Sequence, residues 1–426
     1  MNVASRTAGP AFRHRMVRGD LTLVTRDGEP LRGRPVTIEQ AGHAFGFGNI
    51  GFDFIALAND EGGASRANVF GGAAADLAPS LVEPWFDLYN LVTLPFYWRA
   101  FEPERGRPDT ERLHRTAQWF IDRGAKVKGH PLVWHTLAPR WLLDIPTDEV
   151  EQVVRARIRR EVTDFADVIQ TWDAINEAVI LPVFDREPNA ITPLGQRLGR
   201  VETVRLAFDT ARAARPSVTL ILNDFDMSEA YEHLIEACLE AGIAIDGLGL
   251  QSHMHQGYWG EERTLAVLER FARFGLPLHM SETTLLSGHL MPPEIEDLND
   301  YQVPEWPSTP EGEERQADEI VRHYTTLVAH PAVSSATYWG FTDNGSWLGA
   351  PSGIVRADGT PKPAYHALRR LIKDEWWLAP TTLVTDDGGR ITVEGFAGDY
   401  RVSIDGAEAL VDLGQPGTVE RQVVLV

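Results

Sequence analysis

The residues in this chain whose types and spacing first suggest chemistry are Trp172-Asp173-Ala174-Ile175-Asn176-Glu177-Ala178. They read as the end of a buried strand that carries Asn176 and Glu177 into a loop, entered from an amphipathic helical pattern over residues 164–169. A carboxyl group beside an amide that can hold a sugar hydroxyl is half of a site for cleaving glycosidic bonds. The other half is a second carboxyl group, also at a strand end. Leu278-His279-Met280-Ser281-Glu282 supplies it in Glu282.

Two carboxyl groups far apart in sequence need a scaffold that brings strand ends together. Short apolar runs at 45–49, 91–95, 126–130, 171–176, 219–223, 247–251, 278–282 and 336–339 alternate with helical patterns at 110–123, 150–166, 201–214, 228–241, 264–274 and 313–329. Eight such runs predict an α/β fold, a (β/α)8 TIM barrel with its site at the C-terminal ends of the strands. Both chain ends break this rhythm. Residues 20–40 alternate, with Asp27-Gly28 as a hairpin turn, and residues 381–426 are β-like, with turns at Asp387-Gly388-Gly389 and Asp405-Gly406. The expected division is a flexible N-terminus over 1–16, an N-terminal β segment over 17–44, a catalytic barrel over 45–378 and a C-terminal β segment over 379–426 that packs with the first. A stretch with five prolines and Trp306, residues 292–310, predicts a loop over the barrel mouth.

Composition narrows the partners. The chain has 426 residues, 43% of them hydrophobic, and 12 Trp, enough for a large core and an aromatic-lined surface. Its net charge of −21 argues against nucleic acid, anionic lipid and polyanionic substrates. No apolar run is long enough for a membrane span. The lone Cys238 excludes an internal disulfide and, with no secretory signal apparent in residues 1–20, leads us to expect a cytoplasmic protein. Cys238 lies in an apolar helical stretch and is expected to be a buried, inert thiol.

The other strand ends bear hydrogen-bonding and aromatic groups: His130, Trp134 and His135 after the third run, Asn223-Asp224 after the fifth, Gln251-Ser252-His253 after the sixth, and Trp339, Asp343 and Trp347 after the eighth. Sugars need paired donors and acceptors for their hydroxyls and flat rings for their C–H faces, so Trp339 and Trp347 are expected to stack on substrate. Four histidines, His130, His135, His253 and His255, raise the possibility of zinc. The His-x-His pair here follows the sixth run rather than the first, unlike amidohydrolase-like barrels, so no metal and no cofactor is expected. Packing is the expected role of His135 and His255. Asp173 is expected beside His130, orienting it, or else capping a turn. Phe96 and Tyr97 either fill the barrel mouth or form a wall against an apolar aglycone.

Together these motifs resemble family 10 of the glycoside hydrolases, the family of retaining β-1,4-xylanases. The matching pieces are Lys128-Gly129-His130-Pro131-Leu132-Val133-Trp134-His135, Trp172 to Ala178, Asn223-Asp224-Phe225, Gly249-Leu250-Gln251-Ser252-His253, Ser281-Glu282 and Trp339 to Trp347, in the family's order. The resemblance implies that Glu177 is the general acid/base and Glu282 the nucleophile of a double displacement. It implies that Asn176 holds the hydroxyl beside the anomeric carbon, and that His130, Trp134, Gln251, His253, Trp339 and Trp347 shape the subsites nearest the bond.

Two departures carry information. Where the xylanases have a Glu-Asn pair and a Lys that bind xylose units, this chain reads Thr93-Leu94-Pro95-Phe96-Tyr97-Trp98. Where they place an Asp two residues after the nucleophile, this chain has Thr284. A site without those hydroxyl partners loses selectivity for xylose chains. The expected substrate is therefore a small β-linked oligosaccharide or glycoside, bound with Tyr97 among the lining residues. The alternatives are an endo-β-1,4-xylanase, a catalytically inactive carbohydrate-binding barrel, which would be expected to have lost one of the two glutamates, and a metal-dependent hydrolase, which a chelator would inhibit.

Overall fold

The structure is a computed structural model that describes residues 9–61 and 76–425. The strands, in chain order, are β1 Met16–Val24, β2 Pro35–His43, β3 Gly46–Ile50, β4 Leu91–Pro95, β5 Lys126–His130, β6 Thr171–Asn176, β7 Thr219–Asp224, β8 Gly247–His253, β9 Leu278–Thr284 and β10 Val333–Tyr338, then β11 Thr381–Val384, β12 Arg390–Phe396, β13 Gly398–Ile404, β14 Ala407–Leu413 and β15 Gly417–Val424.

β3 to β10 form a closed barrel with neighbour order β10-β3-β4-β5-β6-β7-β8-β9. Helices between the strands, among them Thr110–Ile121, Thr147–Asp164, Arg200–Ala214, Glu229–Glu240 and Gly260–Ala272, make it a (β/α)8 barrel. Their ends follow local chemistry. Asp148 and Glu149 sit in the first turn of Thr147–Asp164, where backbone N–H groups favour negative charge, and the Ser228 hydroxyl caps the helix that follows it by accepting from Ala230 N. The helical pattern expected to reach residue 169 ends at Asp164. Phe165 and Ile169 belong to a buried turn, closed by the Ile169 N–H on the Phe165 carbonyl at 2.8 Å.

Some strands extend further than their apolar runs. β8 and β9 continue to His253 and Thr284, and a bulge between Leu250 and Gln251 sets Gln251 beside Glu282 and His253 beside Thr284. β10 stops at Tyr338, so Trp339 opens the following loop. Two glycines are required by what lies against them. A Cβ at Gly129 would meet the Trp172 ring at 2.3 Å, and one at Gly249 would meet the Asn223 side-chain oxygen at 2.1 Å.

Among the described residues, 9–46, 324–331 and 366–425 build a second compact unit. Its two sheets have orders β12-β1-β15 and β11-β2-β13-β14, and Val17, Leu21, Ile38, Tyr400, Val411, Leu413 and Val423 share one buried core. The expected hairpin at Asp27-Gly28 is corrected here. β1 and β2 turn there, with a single bridge from Val24 to Pro30, but then join different sheets. Each alternates because one face lies on the shared core, a pattern that does not say which partner completes the other edge. β11 and β12 divide in the same way, whereas β13 and β14 do form a hairpin, turning at Asp405 and Gly406, both with positive φ. The boundary expected at 378/379 falls earlier, because Leu378 belongs to this unit's core and Trp376 packs on Phe12 and Phe396 within it. Of the N-terminus expected to be flexible, residues 1–8 lie outside the described residues. Pro10–Arg15 forms a 3-10 turn leading into β1.

Candidate active site

Glu177 is the residue immediately after β6 and has φ +57°, a left-handed conformation that costs a non-glycine residue energy and is tolerated where the surroundings fix it. Its N–H donates to the Asn223 carbonyl at 2.8 Å. The side chain is held from three directions. Trp134 Nε1 donates to Oε2 at 2.8 Å, Asn176 Nδ2 donates to Oε1 at 2.9 Å, and Gln251 Nε2 approaches Oε1 at 3.4 Å. Burial nonetheless pushes its carboxyl up to about 8, with the Asp224 and Glu282 carboxyl groups adding to the rise and the Trp134 and Gln251 donors opposing it. Asp224, itself raised by burial to about 7, accepts the Val179 N–H at 3.0 Å and so pins the turn that carries Glu177.

Glu282 lies inside β9 and sits in the opposite electrostatic setting. Asn223 Nδ2 donates to Oε1 at 2.9 Å, His253 Nε2 lies 3.2 Å from Oε2 and His130 Nε2 lies 3.9 Å from Oε1. Burial alone would raise its carboxyl. The attraction of His130, the bond from His253 and the charge of Lys128 outweigh that, and it falls below the usual carboxylate range. Behind His130 stands Asp173, with Oδ2 2.7 Å from His130 Nδ1 and 2.9 Å from Lys128 Nζ. Lys128 and His130 overcome the burial of Asp173 and lower it to about 2. Asp173 thus lies beside His130, as one of the two sequence readings expects.

Asn223 joins the two carboxyl groups. Its Nδ2 also donates to Asn176 Oδ1 at 2.7 Å, and its Oδ1 accepts from Ser281 Oγ at 2.5 Å. Asn176 Oδ1 accepts a second bond, from Gln251 Nε2 at 3.1 Å. One amide network therefore runs from Glu282 through Asn223 and Asn176 to Glu177. The absent Cβ of Gly249 is what leaves room for it.

Aromatic rings line the rest. Tyr97 packs on Trp134 at 5.6 Å, His130 at 5.8 Å and Phe52 at 6.0 Å, and Trp339 packs on His130 at 5.2 Å and Phe52 at 6.0 Å. Trp347 lies 4.9 Å from His253 and remains half-buried. All ten residues singled out from the sequence, Glu177, Glu282, Asn176, His130, Trp134, Gln251, His253, Trp339, Trp347 and Tyr97, thus fall in one neighbourhood.

The other expectations have mixed outcomes. Phe96 forms no wall: it is fully buried against Phe101, Phe165 and Trp172, because successive residues leaving a strand point opposite ways. Trp306 of the proline-rich stretch is buried with Leu286, Met291 and Ala350, and its Nε1 donates to the His289 carbonyl. His135 packs as expected: burial lowers its imidazole to about 3, its ring rests on Phe184, and its Nε2 lies 3.7 Å from Glu177 Oε2, beyond hydrogen-bond reach. Cys238 is buried, its thiol pushed up to about 12 by burial. Among the described residues no group of three or more His, Cys, Asp or Glu is arranged to hold a metal ion.

Sequence reasoning placed Asn223 at a loaded strand end without giving it a role, and expected Asp173 beside His130 without its pairing to Lys128. It passed over Phe52, which carried no signal.

Two carboxyl groups of opposite electrostatic bias, linked by amides and walled by Trp and Tyr at the strand ends of a (β/α)8 barrel, define a glycoside hydrolase. The sequence profile of glycosyl hydrolase family 10 matches residues 91–371, and the chain belongs to that family, whose members are retaining glycoside hydrolases. It is 28% identical to endo-1,4-beta-xylanase B of Thermotoga neapolitana over 292 residues, covering 65% of this chain and 78% of that one. It is 25% identical to endo-1,4-beta-xylanase 5 of Pyricularia oryzae over 389 residues, 82% of this chain and 90% of that one. Among solved structures, xylanase 10B of Thermotoga petrophila in complex with xylobiose is similar at TM-score 0.59 and 24% identity, covering 77% of this chain and 94% of that one. A family 10 structure from Paenibacillus barcinonensis gives 0.61 at 21%, covering 78% and 95%.

Proposed function

We propose that this enzyme hydrolyses a short β-linked oligosaccharide or a small glycoside, with Glu177 as acid/base and Glu282 as nucleophile. Glu177, protonated, donates to the glycosidic oxygen while ionised Glu282 attacks the anomeric carbon and forms a glycosyl ester. Glu177, now a carboxylate, takes a proton from water, which displaces Glu282 with net retention. Asn176, held by Asn223 and Gln251, keeps one Nδ2 hydrogen for Glu177 and another for a sugar hydroxyl. What supports these roles is the electrostatic split: burial keeps the proton on Glu177, while Glu282 is held as the anion.

The split sets a pH profile. Glu177 must be protonated, so activity falls as pH rises through about 8. Glu282 must be ionised, so activity falls at the acid side only below the usual carboxylate range. A plot of kcat/KM against pH should therefore be a broad bell. A basic limb near pH 5 would remove Glu177 from the acid role.

The observation that carries the substrate reading is the end of β4. Residues 94–98 present no acid, amide or amine, and Tyr97 packs against Phe52, His130 and Trp134 at that place. A wall of rings suits one compact sugar unit or an apolar group better than a run of hydrated xylose units. The names of its relatives favour the other reading, an endo-1,4-β-xylanase. Side-by-side kinetics decide. Activity on the best aryl β-glycoside or disaccharide is expected to exceed that on soluble xylan at least about tenfold in kcat/KM, roughly 1.4 kcal/mol of transition-state binding. Equal values would favour the xylanase.

A further inference from the structure

The hydrogen-bond chain behind Glu282 does not end at His253. His253 Nδ1 lies 3.4 Å from Thr284 Oγ1, and the same hydroxyl lies 3.5 Å from His255 Nδ1. His255 is fully buried and its Nε2 meets no partner among the described residues. Its ring sits 5.2 Å from Trp347 and 6.2 Å from Trp306. The groups that face His253 are Glu282 and Thr284 of β9, His255 beyond the end of β8, and Trp339 and Trp347 of the loop after β10. Glu282 is the one carboxylate among them.

A hydroxyl donates one proton and accepts others, which allows two arrangements of the bonds between His253, Thr284 and His255. With His253 neutral and its proton on Nε2, that proton goes to Glu282, the Thr284 O–H donates to the bare Nδ1, and the His255 Nδ1–H donates to Thr284. With His253 doubly protonated, Nδ1–H donates to Thr284, the hydroxyl turns to donate to His255 Nδ1, and neutral His255 carries its single proton on Nε2 instead of Nδ1. In both arrangements Glu282 keeps its bond from Nε2. We propose that Thr284 and His255 are positioning residues, an uncharged relay that aims His253 at Glu282 and lets His253 gain or lose its charge without losing that aim. The inference rests on the reading of Glu282 as nucleophile. A carboxylate at 284 would instead hold the imidazolium, because an adjacent anion favours the charged form.

Variants of the full-length enzyme assayed on a p-nitrophenyl β-glycoside test this. Thr284→Val keeps the shape and removes the hydroxyl. It is expected to lower kcat/KM about tenfold, mainly in kcat, the scale of one lost hydrogen bond to a buried group. Thr284→Ser should stay within about twofold of the parent. His255→Asn should cost much less in the Thr284→Val background than alone, because both act through one bond chain. Thr284→Asp should move the acid limb of the kcat/KM profile to lower pH, since a retained charge on His253 stabilises the Glu282 carboxylate. The relay is overturned if Thr284→Val shows the parent rate and acid limb, or if Thr284→Ser is as damaged as Thr284→Val, which would mean packing. Should Thr284→Val not fold, a Thr284→Asp profile with an unmoved acid limb overturns it equally. Peptide mapping after inactivation by a 2-deoxy-2-fluoro glycoside separates the two claims. A label away from Glu282 sinks the nucleophile reading, whereas a label on Glu282 with unresponsive Thr284 variants sinks the relay alone.

Discussion

Glu282→Ala should abolish turnover of every substrate, by a factor on the order of 10⁴ or more, because the glycosyl ester cannot form without that carboxylate. Loss of rate alone would not separate a nucleophile from a structural residue, since Asn223 and His253 both lose their acceptor in the variant. Azide makes the distinction. It fits where the carboxylate was and attacks a substrate bearing a good leaving group, giving a glycosyl azide of inverted configuration. Rescue with retained configuration, or no rescue while Glu282→Gln stays active, would contradict the assignment.

Glu177→Ala should show a split response. Substrates whose aglycone departs only when protonated are expected to lose about 10²–10⁴-fold, the usual worth of general acid catalysis. Activated aryl glycosides should be cleaved to the glycosyl-enzyme at a rate near that of the parent, then accumulate as the ester because no base activates water. A burst of phenolate followed by a slow steady state is the signature. The basic limb near pH 8 should vanish with the residue, since Glu177 is the group raised to that range. Equal losses on activated and unactivated substrates would remove Glu177 from the acid role.

Much of this was legible because catalytic strand ends have a local pattern. An apolar run that stops at Asn176-Glu177 or Ser281-Glu282 marks both a barrel strand and its loaded end. The side-to-side relations were not legible. Whether Phe96 or Tyr97 faces the site depends on the phase in which β4 joins its neighbours, and both are aromatic, so the letters do not settle it. The part played by Asn223 depends on Gly249 one strand away. At the chain ends, alternation announced strands but not partners. β1 and β2 read as a hairpin because the turn residues were right, whereas each was completed by strands from the other end of the chain.

That last pairing bears on how the molecule comes into being. β1 lies between β12 and β15, so the first strand of the chain hydrogen-bonds to the last. Topologically the barrel is an insertion within the β unit. During synthesis β1 and β2 leave the ribosome early and wait unpaired, edges open, until the final strands emerge. The thermodynamic cost of closing so long a loop grows only logarithmically with its length, about 0.6 kcal/mol per doubling. The delay is kinetic. It makes the sheet of β12, β1 and β15 a late event and gives a truncated or stalled chain a distinctive fate, a barrel with two orphan strands exposed to whatever will pair with them.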